Sequence, residues 1–245
     1  MSETSTASGQ HHQSAQQEQS QNDAWGDNIN SNNKTSNKIR IAFQNINGYI
    51  TNNDDVKTQS IKDFIEDKYV DIMGMAETNV NWNRLPKHKT IQSTIRGWSE
   101  HQHLTTAFNQ RDNNKSRHQP GGTAIYCRDE LGLRFISAGV DDKKIGRWSW
   151  MKFRGKDKKI MTFISVYVPS IASGPGSKKV YNQQKKALLS MGIVRSVMST
   201  FWTDLWELVD ECLDNGEAVT FHQCFATATS FRGGGERPSV PKRLC

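Results

Sequence analysis

Three positions along the chain combine oxygen-bearing side chains with the ends of apolar runs. Glu77 follows the nearly unbroken apolar run from Val70 to Ala76, so a buried strand delivers one carboxylate at its C-terminal end. Upstream, Asn45 and Asn47 terminate an alternating run in which Ile39, Ile41 and Phe43 are apolar, and their spacing of two places both carboxamides on one face. Downstream, Tyr167 stands near the end of a further apolar run, before Val168-Pro169. Phosphodiester hydrolysis needs a metal held by hard oxygen ligands, donors aimed at phosphate oxygens and a base for water. Glu77 is the candidate metal ligand, and Asn45 and Asn47 are candidates to orient metal-bound water or phosphate. Each has a plainer explanation. Asn-x-Asn-Gly forms turns, a lone Glu before Thr ends or caps an element, and a Tyr before x-Pro packs. Joint placement at strand ends is what favours a site.

The elements that must position these residues follow from periodicity. The run through Phe43 predicts a strand closed by Asn45-Ile46-Asn47-Gly48. Ile61, Phe64, Ile65 and Tyr69 recur at spacings of three and four and predict a helix between Val56 and Tyr69. A strand from Val70 to Ala76 completes a strand, helix, strand unit. Residues 80–120 are rich in Asn, His, Gln, Arg and Lys and read as a surface excursion. Strands are expected from Gly121 to Cys127, Leu133 to Ala138, Arg147 to Arg154 and Lys159 to Val168, joined as hairpins. Lys152, Arg154, Lys156, Lys158 and Lys159 near Gly155 read as a solvated turn. Tyr181 to Leu213 reads as helix interrupted at Gly192, with Phe201, Leu205, Leu208, Val209 and Cys212 on its later stripe and Asn215-Gly216 as its cap. A last strand begins at Glu217 and reaches Phe221.

Composition bounds the rest. At 245 residues with 35% hydrophobic content, the chain has room for one domain of ordinary size. Residues 1–38 consist largely of Ser, Thr, Gln, Asn and His, too polar to offset the entropy of ordering, and are expected to form a disordered head. Nothing in the sequence has the form of a signal peptide or a membrane span, so an intracellular protein, nuclear or cytoplasmic, is expected. Cys127, Cys212, Cys224 and Cys245 form no C-x-x-C pair and read as reduced thiols. The net charge is +7, and the head carries two cations against four acids, so the remainder is +9 and suited to polyanions.

Phe43-Gln44-Asn45-Ile46-Asn47-Gly48, followed by Met75-Ala76-Glu77-Thr78-Asn79, resembles the opening of the endonuclease/exonuclease/phosphatase superfamily. The likeness is to the apurinic-endonuclease-like domains of non-LTR retrotransposons. Gly121-Gly122-Thr123-Ala124-Ile125-Tyr126, Trp148-Ser149-Trp150 and Ser165-Val166-Tyr167-Val168-Pro169 extend it, so that it covers about residues 39–220. The resemblance implies an α+β fold, a two-sheet sandwich flanked by helices of the DNase I-like kind, truncated at its C-terminal end. It implies Mg²⁺ (or Mn²⁺) dependence and endonucleolytic nicking of DNA, with RNA as a possible substrate. Glu77 and Asn47 would bind the metal, Asn47 standing where many relatives have Asp. Asn45 would place metal and phosphate, Tyr167 would hydrogen-bond the scissile phosphate, and Asn79 would contact the nucleic acid.

The same resemblance calls for a Gly-Asp-x-Asn element after the strand that begins near Ala218, and later for an Asp and a Ser-Asp-His. None is present. The sequence leads us to expect an incomplete domain over 39–221 and an irregular, non-native tail over 222–245, as a frameshift, a mispredicted splice junction or a degenerate element copy would produce. His222 has no acidic orienter nearby in sequence and is not read as a substitute base. Three functions follow: a nicking endonuclease of impaired activity, a catalytically inactive nucleic-acid-binding remnant, or a relative acting on RNA tails or phosphorylated small molecules.

Overall fold

The computed structural model describes residues 38–49, 56–112, 115–170 and 179–225. Strand β1 (Ile41–Asn45) is followed by helix α1 (Val56–Asp67) and strand β2 (Ile72–Ala76). Between β2 and the next sheet strands lie single 3₁₀ turns at Trp82–Arg84 and Lys87–Lys89, the one-turn helix α2 (Ile91–Thr94) and strand β3 (His103–Ala107). Strand β4 (Thr123–Cys127), helix α3 (Asp129–Leu133) and strands β5 (Phe135–Val140), β6 (Trp148–Arg154) and β7 (Ile160–Val168) follow. Helices α4 (Val180–Ser190) and α5 (Val197–Asp214) lead to strand β8 (Ala218–Phe225).

Two four-stranded mixed sheets result, in the orders β1-β2-β4-β3 and β5-β6-β7-β8. The pairs β1/β2 and β7/β8 are parallel and the other neighbours antiparallel, so the hairpins β5/β6 and β6/β7 form as the sequence predicts. Alternation assigns each strand its faces. Ile72, Ile125 and Cys127 of the first sheet meet Met151, Phe153 and Phe163 of the second in a shared apolar layer. Outside the first sheet, Ile61 and Ile65 of α1 pack on Met73, Met75, Ala124 and Tyr126. Outside the second, Phe201, Leu205 and Val209 of α5 pack on Trp148, Ile164, Val166 and Val168. The expected α+β sandwich with helices on its outer faces is therefore what the chain forms.

The local differences have physical causes. Tyr69 lies beyond the end of α1 with φ +50 and is 48% exposed, so it leaves the buried stripe. The excursion over 80–120 contains a strand, β3, which pairs along all of β4. Its outer face carries Leu104 but also Thr106, too weak an alternation to stand out. Gly192, at φ +76, separates α4 from α5, and Gly216, at φ +74, ends α5, with the Glu217 N–H donating to the Cys212 carbonyl at 3.0 Å.

The expected break at Phe221 needs correction. Strand β8 continues in parallel register with β7 through Phe225, pairing His222 with Ser165 and Cys224 with Tyr167, so the irregular tail does not begin at 222. Residues 226–245, and all of the expected head except Lys38, lie outside the described residues. Among the described residues no helix is long and apolar enough to cross a membrane, and Cys127 and Cys212 are free and buried.

Candidate active site at the strand ends

Strands β1 and β2 run parallel, with Asn45 opposite Ala76, so their C-terminal ends meet at one edge of the sandwich. Beyond the strands the backbones stay bonded. The N–H groups of Ile46, Gly48 and Tyr49 donate to the carbonyls of Ala76, Glu77 and Thr78 at 3.0, 2.6 and 2.7 Å. On its other side the same segment is tied to the start of β4. Thr78 and Asn79 donate to the carbonyls of Gly122 and Gly121 at 3.3 and 2.8 Å. Glu77 is therefore fixed between two neighbouring chain segments, partly buried, with its carboxylate on a backbone that has no freedom to drift.

Asn45 and Asn47 form the turn that their sequence suggests. The Asn45 Oδ1 accepts from the Asn47 N–H at 2.9 Å, while Asn47 and Gly48 adopt φ +43 and +93. Asn47 is exposed and Asn45 partly buried. Asn79 also has a structural bond, since its Oδ1 accepts from the Gly121 N–H at 2.7 Å. Its amide lies beside Gly48, where an added Cβ would be 3.7 Å from Nδ2. The four residues Asn45, Asn47, Glu77 and Asn79 thus gather at one strand end.

Tyr167 joins them through Gly121. A Cβ on Gly121 would lie 3.4 Å from the Tyr167 Cε1 and 3.1 Å from Val180 at the start of α4, so the ring is packed against that glycine. Tyr167 is 4% exposed, and its N–H donates to the Arg147 carbonyl at 2.8 Å. Just below, two polar contacts bridge the sheets: Ser165 Oγ to the Met75 carbonyl at 3.3 Å, and Thr123 Oγ1 to Ser149 Oγ at 3.0 Å. These set the depth at which β2, β4, β6 and β7 meet beneath the site.

A basic rim surrounds this end. Arg111, Lys115 and Arg117 between β3 and β4, and Lys144 between β5 and β6, are exposed on the loops at this end. The β3–β4 and β5–β6 loops are joined there, with Gln110 N–H to the Lys144 carbonyl and Arg111 Nε to the Lys143 carbonyl, each 2.9 Å. Gln119 stiffens the first loop by accepting from the Asn109 N–H at 2.9 Å and donating to the Asn109 carbonyl at 2.8 Å. Its own N–H donates to the Asn79 carbonyl at 3.1 Å, linking rim to site. Asp141 anchors the second loop: its buried carboxylate accepts from the N–H groups of Ile145, Gly146 and Arg147 and from Arg147 Nε at 3.3 Å. The lysine-rich hairpin at 154–159 lies at the opposite end of β7 from Tyr167.

The donor set suits a hard cation, but sparsely. Glu77 supplies one carboxylate and Asn45 and Asn47 supply neutral carboxamide oxygens. Mg²⁺ is ordinarily held by one or two carboxylates together with water and substrate phosphate, so this set fits weak binding completed by solvent and substrate. No group of three or more His, Cys, Asp and Glu able to hold a metal occurs among the described residues. His222 offers no base: its ring lies between those of Phe43, at 6.1 Å, and Phe163, at 5.4 Å. Burial alone lowers its pKa, with no carboxylate contributing.

Sequence reasoning missed Gln119 as a part of this site and read Gly121-Gly122 only as a strand start and as part of the resemblance. Only Gly121-Gly122 carried a signal, since two successive glycines at a strand start mark a close backbone approach.

No protein-family model and no curated protein matches the chain. Solved structures do resemble it. An AP endonuclease from Archaeoglobus fulgidus is 16% identical with a TM-score of 0.43, covering 76% of this chain and 56% of its own. An endonuclease/exonuclease/phosphatase family protein from Leptotrichia buccalis is 13% identical with a TM-score of 0.38, covering 65% of this chain and 64% of its own. An endonuclease/exonuclease/phosphatase from Beutenbergia cavernae is 12% identical with a TM-score of 0.35, covering 62% and 42%. This chain spans less than two thirds of the length of each.

Proposed function

We propose that this chain carries the front half of a metal-dependent phosphodiester hydrolase site of the DNA-nicking endonuclease kind, with impaired catalysis. The carrying observation is the gathering of Asn45, Asn47, Glu77 and Asn79 at the joined ends of β1 and β2, beside a basic rim. In this reading Glu77 and Asn47 hold Mg²⁺ or Mn²⁺. Asn45 orients the phosphate through its amide, its Oδ1 being bonded to the Asn47 N–H. Tyr167, its ring fixed against Gly121, hydrogen-bonds the scissile phosphate, and Asn79 contacts the strand being cut. The metal, when bound, neutralises charge developing on the phosphate and lowers the pKa of water. In this reading the chain's own groups bind and orient, and none is assigned as the base for the attacking water. Acid-base assistance is typically worth about 10² to 10⁴ in rate, which is the scale of the expected impairment.

A nucleic acid is the favoured substrate class because Arg111, Lys115, Arg117 and Lys144 are exposed on loops held rigidly by Gln119 and Asp141. DNA is preferred to RNA on the motif resemblance alone. One observation favours a second function, an inactive nucleic-acid-binding remnant. A single carboxylate with neutral partners leaves the rim able to bind where the site cannot cut. Plasmid nicking with Mg²⁺ separates the two: the chain should cut slowly and its Glu77→Ala variant should not. Equal cleavage by both, or none by either at high enzyme concentration, would leave only the binding function.

A further inference from the structure

We propose that Lys57 is the positioning residue of this site, clasping the Ile46–Gly48 turn and so fixing Asn45 and Asn47 against the Glu77 strand end. The role in the site rests on the function proposed above; the clasp itself does not. The Lys57 ammonium donates to three successive main-chain carbonyls, those of Ile46 at 2.9 Å, Asn47 at 3.3 Å and Gly48 at 2.8 Å. A lysine ammonium has three N–H donors and no acceptor, so every donor it has is committed to one turn. Three convergent carbonyls form a small cation cup, and the lysine supplies the cation from within the chain.

Lys57 is the second residue of α1, at the helix end whose dipole disfavours a positive charge, and no acidic residue of the first turn offsets it. The helix has no use for a lysine there; the turn does. From the opposite side the same turn is held by Gly48 and Tyr49, whose N–H groups donate to Glu77 and Thr78. Those bonds fix one edge and the ammonium fixes the other. Because the Asn45 Oδ1 accepts from the Asn47 N–H, any slackening at Asn47 reaches Asn45 as well. Lys57 also walls a cleft of about 520 Å³ together with Phe43, Asn45, Ser60 and Phe64, which gives solvent ions a route to the cup once the side chain is shortened.

The test uses the full chain with Lys57→Met and Lys57→Arg. Amide hydrogen exchange is read at Gly48 and Tyr49, with α5 as an internal reference for global stability, and Mn²⁺ affinity is measured in parallel. In Lys57→Met, protection at Gly48 and Tyr49 should fall by at least about tenfold, the loss of roughly one charge-assisted hydrogen bond, while α5 is unchanged. Methylammonium, which has N–H donors, should restore it, whereas tetramethylammonium, which has none, should not. Lys57→Arg, able to reach part of the cup, should lie between. Mn²⁺ affinity should follow the same order. Unchanged protection at Gly48 and Tyr49 in Lys57→Met, or rescue by both cations alike, overturns the proposal. If protection behaves as expected but neither the chain nor any variant binds Mn²⁺, the clasp stands and the phosphodiester function falls.

Discussion

Replacing Gly122 with alanine should destabilise the chain by about 2–4 kcal/mol, and the figure can be resolved into two causes. Gly122 has φ +83, a left-handed conformation that costs alanine roughly 1 kcal/mol more than glycine. The second cause is space. A Cβ there would lie 2.7 Å from Thr78 Oγ1 and 2.8 Å from the Ala107 carbonyl oxygen. The hydroxyl can rotate away, but Ala107 is held in register opposite Thr123, so the strand itself must move. Crowding of that kind costs about 1–3 kcal/mol in a packed interior. Gly97 isolates the first cause, since its φ is +88 and no atom lies within 4 Å of its would-be Cβ. Gly97→Ala should therefore cost only about 1 kcal/mol. Urea unfolding of both variants gives the comparison. Because the Gly122 carbonyl accepts from the Thr78 N–H, Gly122→Ala should also weaken Mn²⁺ binding while Gly97→Ala leaves it alone. Equal destabilisation by the two would refute the claim that Gly122 lies too close to Thr78 and Ala107 to accept a Cβ.

Three further predictions concern buried or partly buried titratable groups. Burial pushes the Glu217 carboxyl up, but hydrogen bonds from Lys152 at 2.5 Å and from Thr162 outweigh it and leave the pKa below its usual 4.5. The pair's stabilisation is thus present above pH 4.5 and lost as pH falls through the depressed folded value, so Glu217→Gln should flatten the acid limb of a melting-temperature profile. Burial pulls Lys152 down, yet its bond to Glu217 leaves it above 10.5, so the alkaline loss comes only as pH rises past that value. Glu217→Ala, which strands Lys152, should cost about 3–5 kcal/mol; less than about 1 would mean the pair is not formed. His222 has the opposite sign to the usual paired histidine. Its folded pKa is lowered by burial, so the unfolded chain binds more protons below pH 6.5 and stability declines as pH drops from there towards the lowered value. His222→Phe should abolish that slope while keeping the packing against Phe43 and Phe163, and an unchanged slope would exclude His222 as its source.

Much of this architecture was legible because most strands are either fully apolar or sharply alternating. The run at β2 is buried at every position and so stands out from its flanks. The stripe of Phe201, Leu205, Val209 and Cys212 on α5 recurs at helical spacing and is buried as the spacing requires. β3 was hidden because its residues, His103 to Ala107, are mostly half-buried and mostly not apolar; its pairing with β4, not its composition, makes it a strand. The end of β8 was hidden for a similar reason. His222, Gln223 and Cys224 carry no alternation, yet parallel bonding to β7 continues beside them. Asn45, Asn47 and Glu77 could be read as strand-end residues directly. Their fixing agents could not, because Lys57, Gln119 and Gly122 act through main-chain bonds and close approach, which no side-chain pattern announces.

The backbone around Glu77 says more about the site than its side chains do. Asn47, Glu77 and Asn79 are all left-handed, at φ +43, +54 and +54. Asparagine tolerates that region better than other non-glycine residues because its short carboxamide can bond the nearby backbone. Glutamate has no such compensation, and a non-glycine residue held there costs of order 1–3 kcal/mol. A strand that merely needed to end could have placed glycine or asparagine at 77 without that cost. Retaining a carboxylate on a strained backbone requires neighbours that over-determine the conformation, and these are present: Gly48 and Tyr49 bond one side, Gly121 and Gly122 the other. Tyr69, Asp129, Lys144, Asp157 and Lys158 share the left-handed region, so what distinguishes Glu77 is the set of main-chain bonds on both of its sides. Those bonds fix the backbone from which the Glu77 carboxylate projects, which is what the proposed metal ligand requires, and they do so equally for a chain that binds there without cutting.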